Sequence, residues 1–205
     1  LRKINSRLQG HPHRKTLPGV ETTSGPLGSG LSQSIGVALA GKLAASPKAG
    51  EPRPDAGRDN KKYRVYCIMS DGELQEGNTW EAFMFAGKNK LNNLVAIIDR
   101  NNIQIDGNTE DVMSLEPLKE KFESFKWHVI EIDGHNIEQF IDATNEAKAI
   151  HEKPTVIIAH TIPGKGVSFM ENDYAWHGKP PTKEEAVKAL IELRTLGGKI
   201  KSEHE

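Results

Sequence analysis

The sequence predicts an α/β fold, a parallel sheet with helices on both faces, and two observations predict it. Four short β-rich runs, 63–69, 94–99, 127–133 and 155–160, are continuously apolar rather than alternating, as strands covered on both faces are. Segments with helical patterning lie between them, and strand–helix alternation is the mark of a parallel sheet.

The elements follow in order. Residues 28–45 read as a helix rich in Gly, Ala and Ser, small enough to pack closely against a neighbour. The stretch 46–62 carries three prolines, two glycines and many charges, and reads as a surface loop inside one domain. Helices are predicted over 79–90, 115–125 and 136–152, each after a β-rich run. A last helix over 183–196 opens behind Pro180-Pro181-Thr182, with Thr182 as N-cap and Glu185 three residues on, the pattern of a capping box. No internal repeat or low-complexity tract interrupts the series, and the 205 residues suit a single domain.

Composition narrows the function. With 27 Lys and Arg against 28 Asp and Glu, the formal charge is −1, without the basic excess that nucleic-acid binding requires. No apolar run approaches the length needed to cross a bilayer, so no membrane span is expected. The single cysteine, Cys67, has no internal disulfide partner and sits in an apolar run. With no charged-then-apolar leader after Leu1, this points to an intracellular, cytoplasmic protein.

In an open parallel sheet, ligands bind beyond the carboxyl ends of the strands. Here those ends read Ser70-Asp71-Gly72-Glu73, Asp99-Arg100-Asn101-Asn102-Ile103, Asp133-Gly134-His135 and Thr161-Ile162-Pro163-Gly164-Lys165-Gly166. Asp71 and Asn101 stand out. They lie 30 residues apart, each just past a strand, so one strand–helix–strand unit brings both to a single rim. A carboxylate and an amide oxygen are hard ligands suited to Mg2+ or Ca2+. Gly72 lets the backbone approach a phosphate closely, and the following helix offers free N–H groups. The competing explanation is that Asp-Gly and Asn-Asn are ordinary turn formers.

Gly25-Pro26-Leu27-Gly28-Ser29-Gly30 lacks the Lys-Ser/Thr of a P-loop and follows no β-rich run, so its expected role is close backbone contact with a flat cofactor. His11 and His177 fall in loops, and neither makes zinc-type spacing with another histidine or with Cys67.

These residues resemble a known family. Ser70-Asp71-Gly72 followed by Asn101 is similar to the thiamine-diphosphate motif. Gly10-His11-Pro12, Pro18-Gly19-Val20-Glu21, Gly25-Pro26-Leu27-Gly28, Glu73-Leu74-Gln75-Glu76-Gly77 and Trp80-Glu81-Ala82 narrow the resemblance to transketolase. So do Gln104-Ile105-Asp106-Gly107, Gly164-Lys165-Gly166-Val167-Ser168 and Trp176-His177-Gly178, all in order from about residue 10 to 190. The resemblance covers only the family's diphosphate-binding domain, without that domain's first part. It therefore implies the N-terminal subunit of a split transketolase. The pyrimidine and C-terminal domains would lie on a partner chain, in an α2β2 assembly.

The resemblance also implies roles. Asp71 and Asn101 would hold Mg2+ or Ca2+ through their side chains, and Ile103 through its carbonyl. Gly72 would donate its N–H to the cofactor's diphosphate, and His177 would lie near the diphosphate and the substrate hydroxyls. His11 would contact the donor sugar, and Gly25 and Leu27 would press on the aminopyrimidine. Glu76 would sit at a subunit interface, bonded to the activating glutamate of the partner chain. Thiamine diphosphate would carry the carbon–carbon chemistry, so without its partner the chain would transfer nothing. Ser70 stands where the family usually has glycine, His13 where a glutamate is frequent and Pro163 where some members have a lysine, departures expected to affect substrate preference more than cofactor binding. The alternatives are a deoxyxylulose-phosphate synthase-like or 2-oxoacid dehydrogenase-like subunit, and a cofactor-binding module without turnover.

Overall fold

The computed structural model describes residues 4–44 and 63–195. Four parallel strands form the sheet: β1 (Val65–Ser70), β2 (Leu94–Arg100), β5 (His128–Asp133) and β6 (Thr155–His160), in the spatial order β1-β2-β6-β5. A second, two-stranded antiparallel sheet joins β3 (Ile103–Gln104) to β4 (Gly107–Asn108). The sequence reading missed this hairpin because two-residue strands leave no periodicity to detect. The helices are α1 (Ser29–Ala44), α2 (Gly77–Lys88), α3 (Thr109–Val112), α4 (Leu118–Ser124), α5 (Ile137–Ala149) and α6 (Lys183–Thr195).

Two apolar layers sandwich the sheet. On one side Leu31, Ile35 and Ala38 of α1 and Ala82, Phe83 and Ala86 of α2 recur at helical spacing. They cover Cys67 and Met69 of β1, Ala96 and Ile98 of β2, and Ile158 of β6. Phe83 anchors this layer, its ring tilted against Phe122 at 4.6 Å and edge-on to Trp127 at 4.8 Å; the Trp127 indole N–H donates to the Phe83 carbonyl at 2.9 Å. On the other side Ala143 and Ala147 of α5 sit over Val95, Ile97, Ile132 and Ile157. Their small side chains let the helix lie close to the strands. β2 and β6, in the middle, are buried on both faces.

The expectation of strands covered on both faces fails at the sheet edge. β1 buries Cys67 and Met69, yet Tyr66 and Ile68 on its other face are exposed, Ile68 to 75 %. α5 packs on β5, at the opposite edge of the sheet. The helix expected over 115–125 begins only at Leu118, because Pro117 disfavours the helical conformation for Glu116 before it. α5 starts where Asn136 caps it, its side-chain oxygen accepting from the N–H groups of Glu138 and Gln139 at 3.0 and 3.1 Å. The Thr182–Glu185 capping box forms reciprocally, at 2.7 and 3.2 Å. Residues 46–62, expected as a surface loop, lie outside the described residues.

Candidate active site

The site is assembled at the carboxyl ends of β1 and β2. In the parallel register Ser70 pairs with Asp99, and the Asp71 N–H continues the ladder to the Asp99 carbonyl at 3.2 Å. The chain then turns into a short 3-10 turn, Gly72–Gln75, capped by Asp71 itself. Asp71 is fully buried. Its Oδ1 accepts from the Gly72 N–H at 2.8 Å; its Oδ2 accepts from the Asn102 N–H at 2.7 Å and from Arg100 Nη1 at 2.9 Å. The Asn102 contact needs that residue in the left-handed region, at φ 64°. It fixes the Asp71 carboxylate beside the Asn101–Ile103 loop, so the expected pair does share one rim.

Asn101 is oriented by the strand it leaves. Its Nδ2 donates to Asp99 Oδ2 at 3.0 Å, and the other Asp99 oxygen takes the Thr161 hydroxyl from the end of β6. The Asn101 side-chain oxygen meanwhile accepts from the Ile103 N–H at 3.1 Å, which folds the loop back. Gly72 faces this loop: a Cβ there would stand 2.9 Å from the Gln104 Cβ and 3.7 Å from the Ile103 carbonyl. A side chain at Gly72 would fill the space between the two strand ends. A buried carboxylate, an amide oxygen, a backbone carbonyl and a cradle kept open by glycine are the donor set and the room that a hard divalent cation requires.

The glycine-rich loop is brought to the same rim. Gly28, at φ +77°, donates its N–H to Glu73 Oε1 at 2.7 Å, so the turn that carries Asp71 also holds the loop. A Cβ at Gly28 would fall 2.0 Å from the Asn78 side-chain oxygen, so only glycine fits. The His11 ring lies against Gly25, 2.6 Å from where a Cβ would project, and Leu27 is 53 % exposed. His11 and Gly25 thus pack together in the loop that Gly28 ties to the Asp71 turn, and Leu27 precedes Gly28 in that loop.

His177 and Glu76 are less firmly placed. His177 ends the 3-10 turn Tyr174–Trp176, which packs on β4; its ring is exposed and makes no hydrogen bond among the described residues. Glu76 begins α2 without capping it, and its carboxylate is exposed. The Gly72 N–H, expected to meet a diphosphate, is turned onto Asp71 Oδ1 in this structure.

The sequence reading assigned no role to Arg100, Asp99, Thr161 or Glu73. Arg100, only 3 % exposed, also donates to Thr109, Glu110 and Glu116 at 2.8, 2.8 and 3.0 Å. Burial works against its charge, but hydrogen bonds to Asp71, Glu116 and Glu110 hold the guanidinium above its ordinary pKa. Burial pushes the Asp71 carboxyl up, against the opposing pull of Arg100 and the Asn102 and Gly72 N–H groups. Glu110, despite partial desolvation, is held at about 2 by the Ser114 hydroxyl, the Leu115 N–H and Arg100. The signal that could have found Arg100 is an arginine closing a buried central strand, since a buried arginine requires acceptors.

Fold and site together define a thiamine-diphosphate-type α/β domain, and comparison with known proteins agrees. Residues 1–199 match the model of the transketolase thiamine diphosphate binding domain. The chain is 39% identical over 204 residues to one of the apulose-4-phosphate transketolase subunits of Phocaeicola vulgatus, covering 100% of this chain and 67% of that protein. It is 38% identical over 197 residues to the 6-deoxy-6-sulfo-D-fructose transketolase subunit SqwG of a Clostridium species, covering 96% of this chain and 66% of that protein. The crystal structure of Campylobacter jejuni transketolase superposes with a TM-score of 0.80 at 36% identity, covering 96% of this chain and 29% of that one. The chain belongs to the transketolase family, in its thiamine diphosphate binding domain. It spans about two thirds of the subunit-type relatives and under a third of the Campylobacter jejuni transketolase chain. Among the described residues no helix is long and apolar enough to cross a membrane.

Proposed function

We propose that this chain is the diphosphate-binding subunit of a two-chain, cytoplasmic transketolase that moves a two-carbon ketol unit from a ketose phosphate to an aldose phosphate. The observation that carries this reading is the grouping of Asp71 and the Asn101–Ile103 loop at adjacent strand ends, with the Ile103 carbonyl facing Gly72, beside the loop held by Glu73. Asp71 and Asn101, with the Ile103 carbonyl, would hold Mg2+ or Ca2+, whose charge would offset that of a diphosphate. The Gly72 N–H, which bonds Asp71 Oδ1 in this structure, would turn to the diphosphate. Gly25 and Leu27 form a wall for the aminopyrimidine, and His11, against Gly25, faces the donor sugar.

Thiamine diphosphate, when bound, supplies the carbanion and electron sink that breaking and making the carbon–carbon bond require. This chain's part is to orient that group, exclude water and hold protons. His177 contacts the diphosphate and substrate hydroxyls. Glu76, exposed at the start of α2, bonds to a glutamate on a partner chain that carries the pyrimidine and C-terminal domains, in an α2β2 assembly. Both subunit-type relatives have names that specify an anionic ketose, one a phosphate and one a sulfonate. A ketose with an acidic terminus is therefore the substrate class to screen.

The test is reconstitution with the partner chain, followed by a ketol-transfer assay on phosphorylated and sulfonated ketoses. Transfer is expected only with both chains, thiamine diphosphate and a divalent cation, and is expected to vanish in Asp71→Asn. Turnover without the partner, or undiminished turnover in Asp71→Asn, overturns the reading.

A further inference from the structure

The buried guanidinium of Arg100 lies directly behind the proposed metal ligand. Asp71 Oδ2 already accepts two hydrogen bonds, from Arg100 Nη1 at 2.9 Å and from the Asn102 N–H at 2.7 Å. Oδ1 accepts only one, from the Gly72 N–H. A carboxylate has about four acceptor positions, two on each oxygen. Oδ2 is thereby filled and Oδ1 keeps a lone pair. The arginine cannot swing away, because Thr109, Glu110 and Glu116 hold its other N–H groups at 2.8 to 3.0 Å. Arg100 with its three carboxylate partners, Asp71, Glu110 and Glu116, makes a cluster of one positive and three negative charges, so a dication nearby meets net negative charge.

We propose that Arg100 is a positioning residue that makes Asp71 a one-oxygen ligand, and so biases the site toward Mg2+ over Ca2+. The proposal rests on the reading of Asp71 as a metal ligand. Mg2+ demands near-octahedral geometry from single oxygens, whereas Ca2+ accepts carboxylates through both oxygens and a looser shell. Holding Oδ2 in a hydrogen-bonded fork suits the smaller ion. Only arginine satisfies this geometry: its planar fork reaches Asp71 and Thr109 from one nitrogen and Glu110 and Glu116 from the other, whereas a lysine ammonium is a single point.

The experiment measures Mg2+ and Ca2+ affinities by displacement of Mn2+, followed by electron paramagnetic resonance, on the full chain assembled with its partner and thiamine diphosphate. Circular dichroism and thermal unfolding confirm that each variant is folded. Arg100→Lys is expected to weaken Mg2+ roughly 10-fold and Ca2+ less, moving the affinity ratio toward Ca2+. Thr109→Val removes one support of the guanidinium, and its ratio is expected to move the same way by a smaller amount; where Arg100→Lys does not fold, this variant decides. Equal weakening of both ions, or no change in either, overturns the positioning role and leaves the metal site standing. Failure of the unsubstituted protein to bind Mn2+ in an Asp71-dependent way overturns the metal site and the proposal with it.

Discussion

Replacing Gly72 with alanine tests the cradle at one atom. The added Cβ would stand 2.9 Å from the Gln104 Cβ, where carbon atoms normally rest at about 3.5–4.0 Å. Relief therefore requires β3 to retreat by roughly 0.6–1.1 Å, the difference between those separations. β3 pairs only with β4, through two residues, and gives way more easily than the buried β1 turn. Overpacking of this kind costs about 1 kcal/mol at its lower end. A gain of about 0.4–1 kcal/mol from the stiffer unfolded chain offsets most of it. Stability should therefore barely change. Function should not be spared, because the Ile103 carbonyl moves with β3, away from Asp71. Loss of one cation ligand is expected to weaken thiamine diphosphate binding by roughly 10-fold, or about 1.4 kcal/mol. Titration calorimetry in the presence of Mg2+ reads the affinity, and a thermal melt reads the stability. Unchanged affinity would refute the reasoning, as would a loss of affinity fully accounted for by unfolding.

Phe83→Ala empties the centre of the aromatic cluster under the sheet and should cost about 3–5 kcal/mol, read as a lower urea midpoint. The Glu110 carboxylate, with a folded pKa of about 2 against 4.5 for a free group, contributes stability that is present above pH 4.5 and lost as the pH falls from 4.5 toward 2. Its 36% exposure keeps that contribution smaller than the shift alone suggests. Asp71, raised by burial, has the opposite sign: it favours the fold in acid and loses that contribution as the pH rises through its folded value. Stability of Glu110→Gln measured across pH 2–5 should accordingly fall less steeply in acid than that of the unsubstituted protein.

The strands were legible because burial is written into runs such as Leu-Val-Ala-Ile-Ile and Thr-Val-Ile-Ile-Ala, and the structure begins both where the pattern does. The same rule misled at β1: Val-Tyr-Cys-Ile-Met reads as a doubly covered strand, but an edge position leaves Tyr66 and Ile68 exposed. Local chemistry fixed the cap at Thr182, so it was readable from a few residues, whereas Asn136, expected as the first helical residue, caps the helix instead. The hydrogen bond from Gly28 to Glu73 spans 45 positions, and Arg100 reaches Asp71 across 29, so no local pattern announces either. Asp71 and Asn101 could be paired in advance because strand–helix–strand topology converts sequence spacing into adjacency. What holds them in place comes from side chains whose partners only the fold supplies.

A crystal structure of the assembled protein with thiamine diphosphate and Mn2+, read by anomalous scattering, addresses the metal site most directly. A single strong peak is expected within bonding distance of an Asp71 carboxylate oxygen, the Asn101 side-chain oxygen and the Ile103 carbonyl. Bound cofactor with no such peak, or a peak held by other residues, would contradict that expectation.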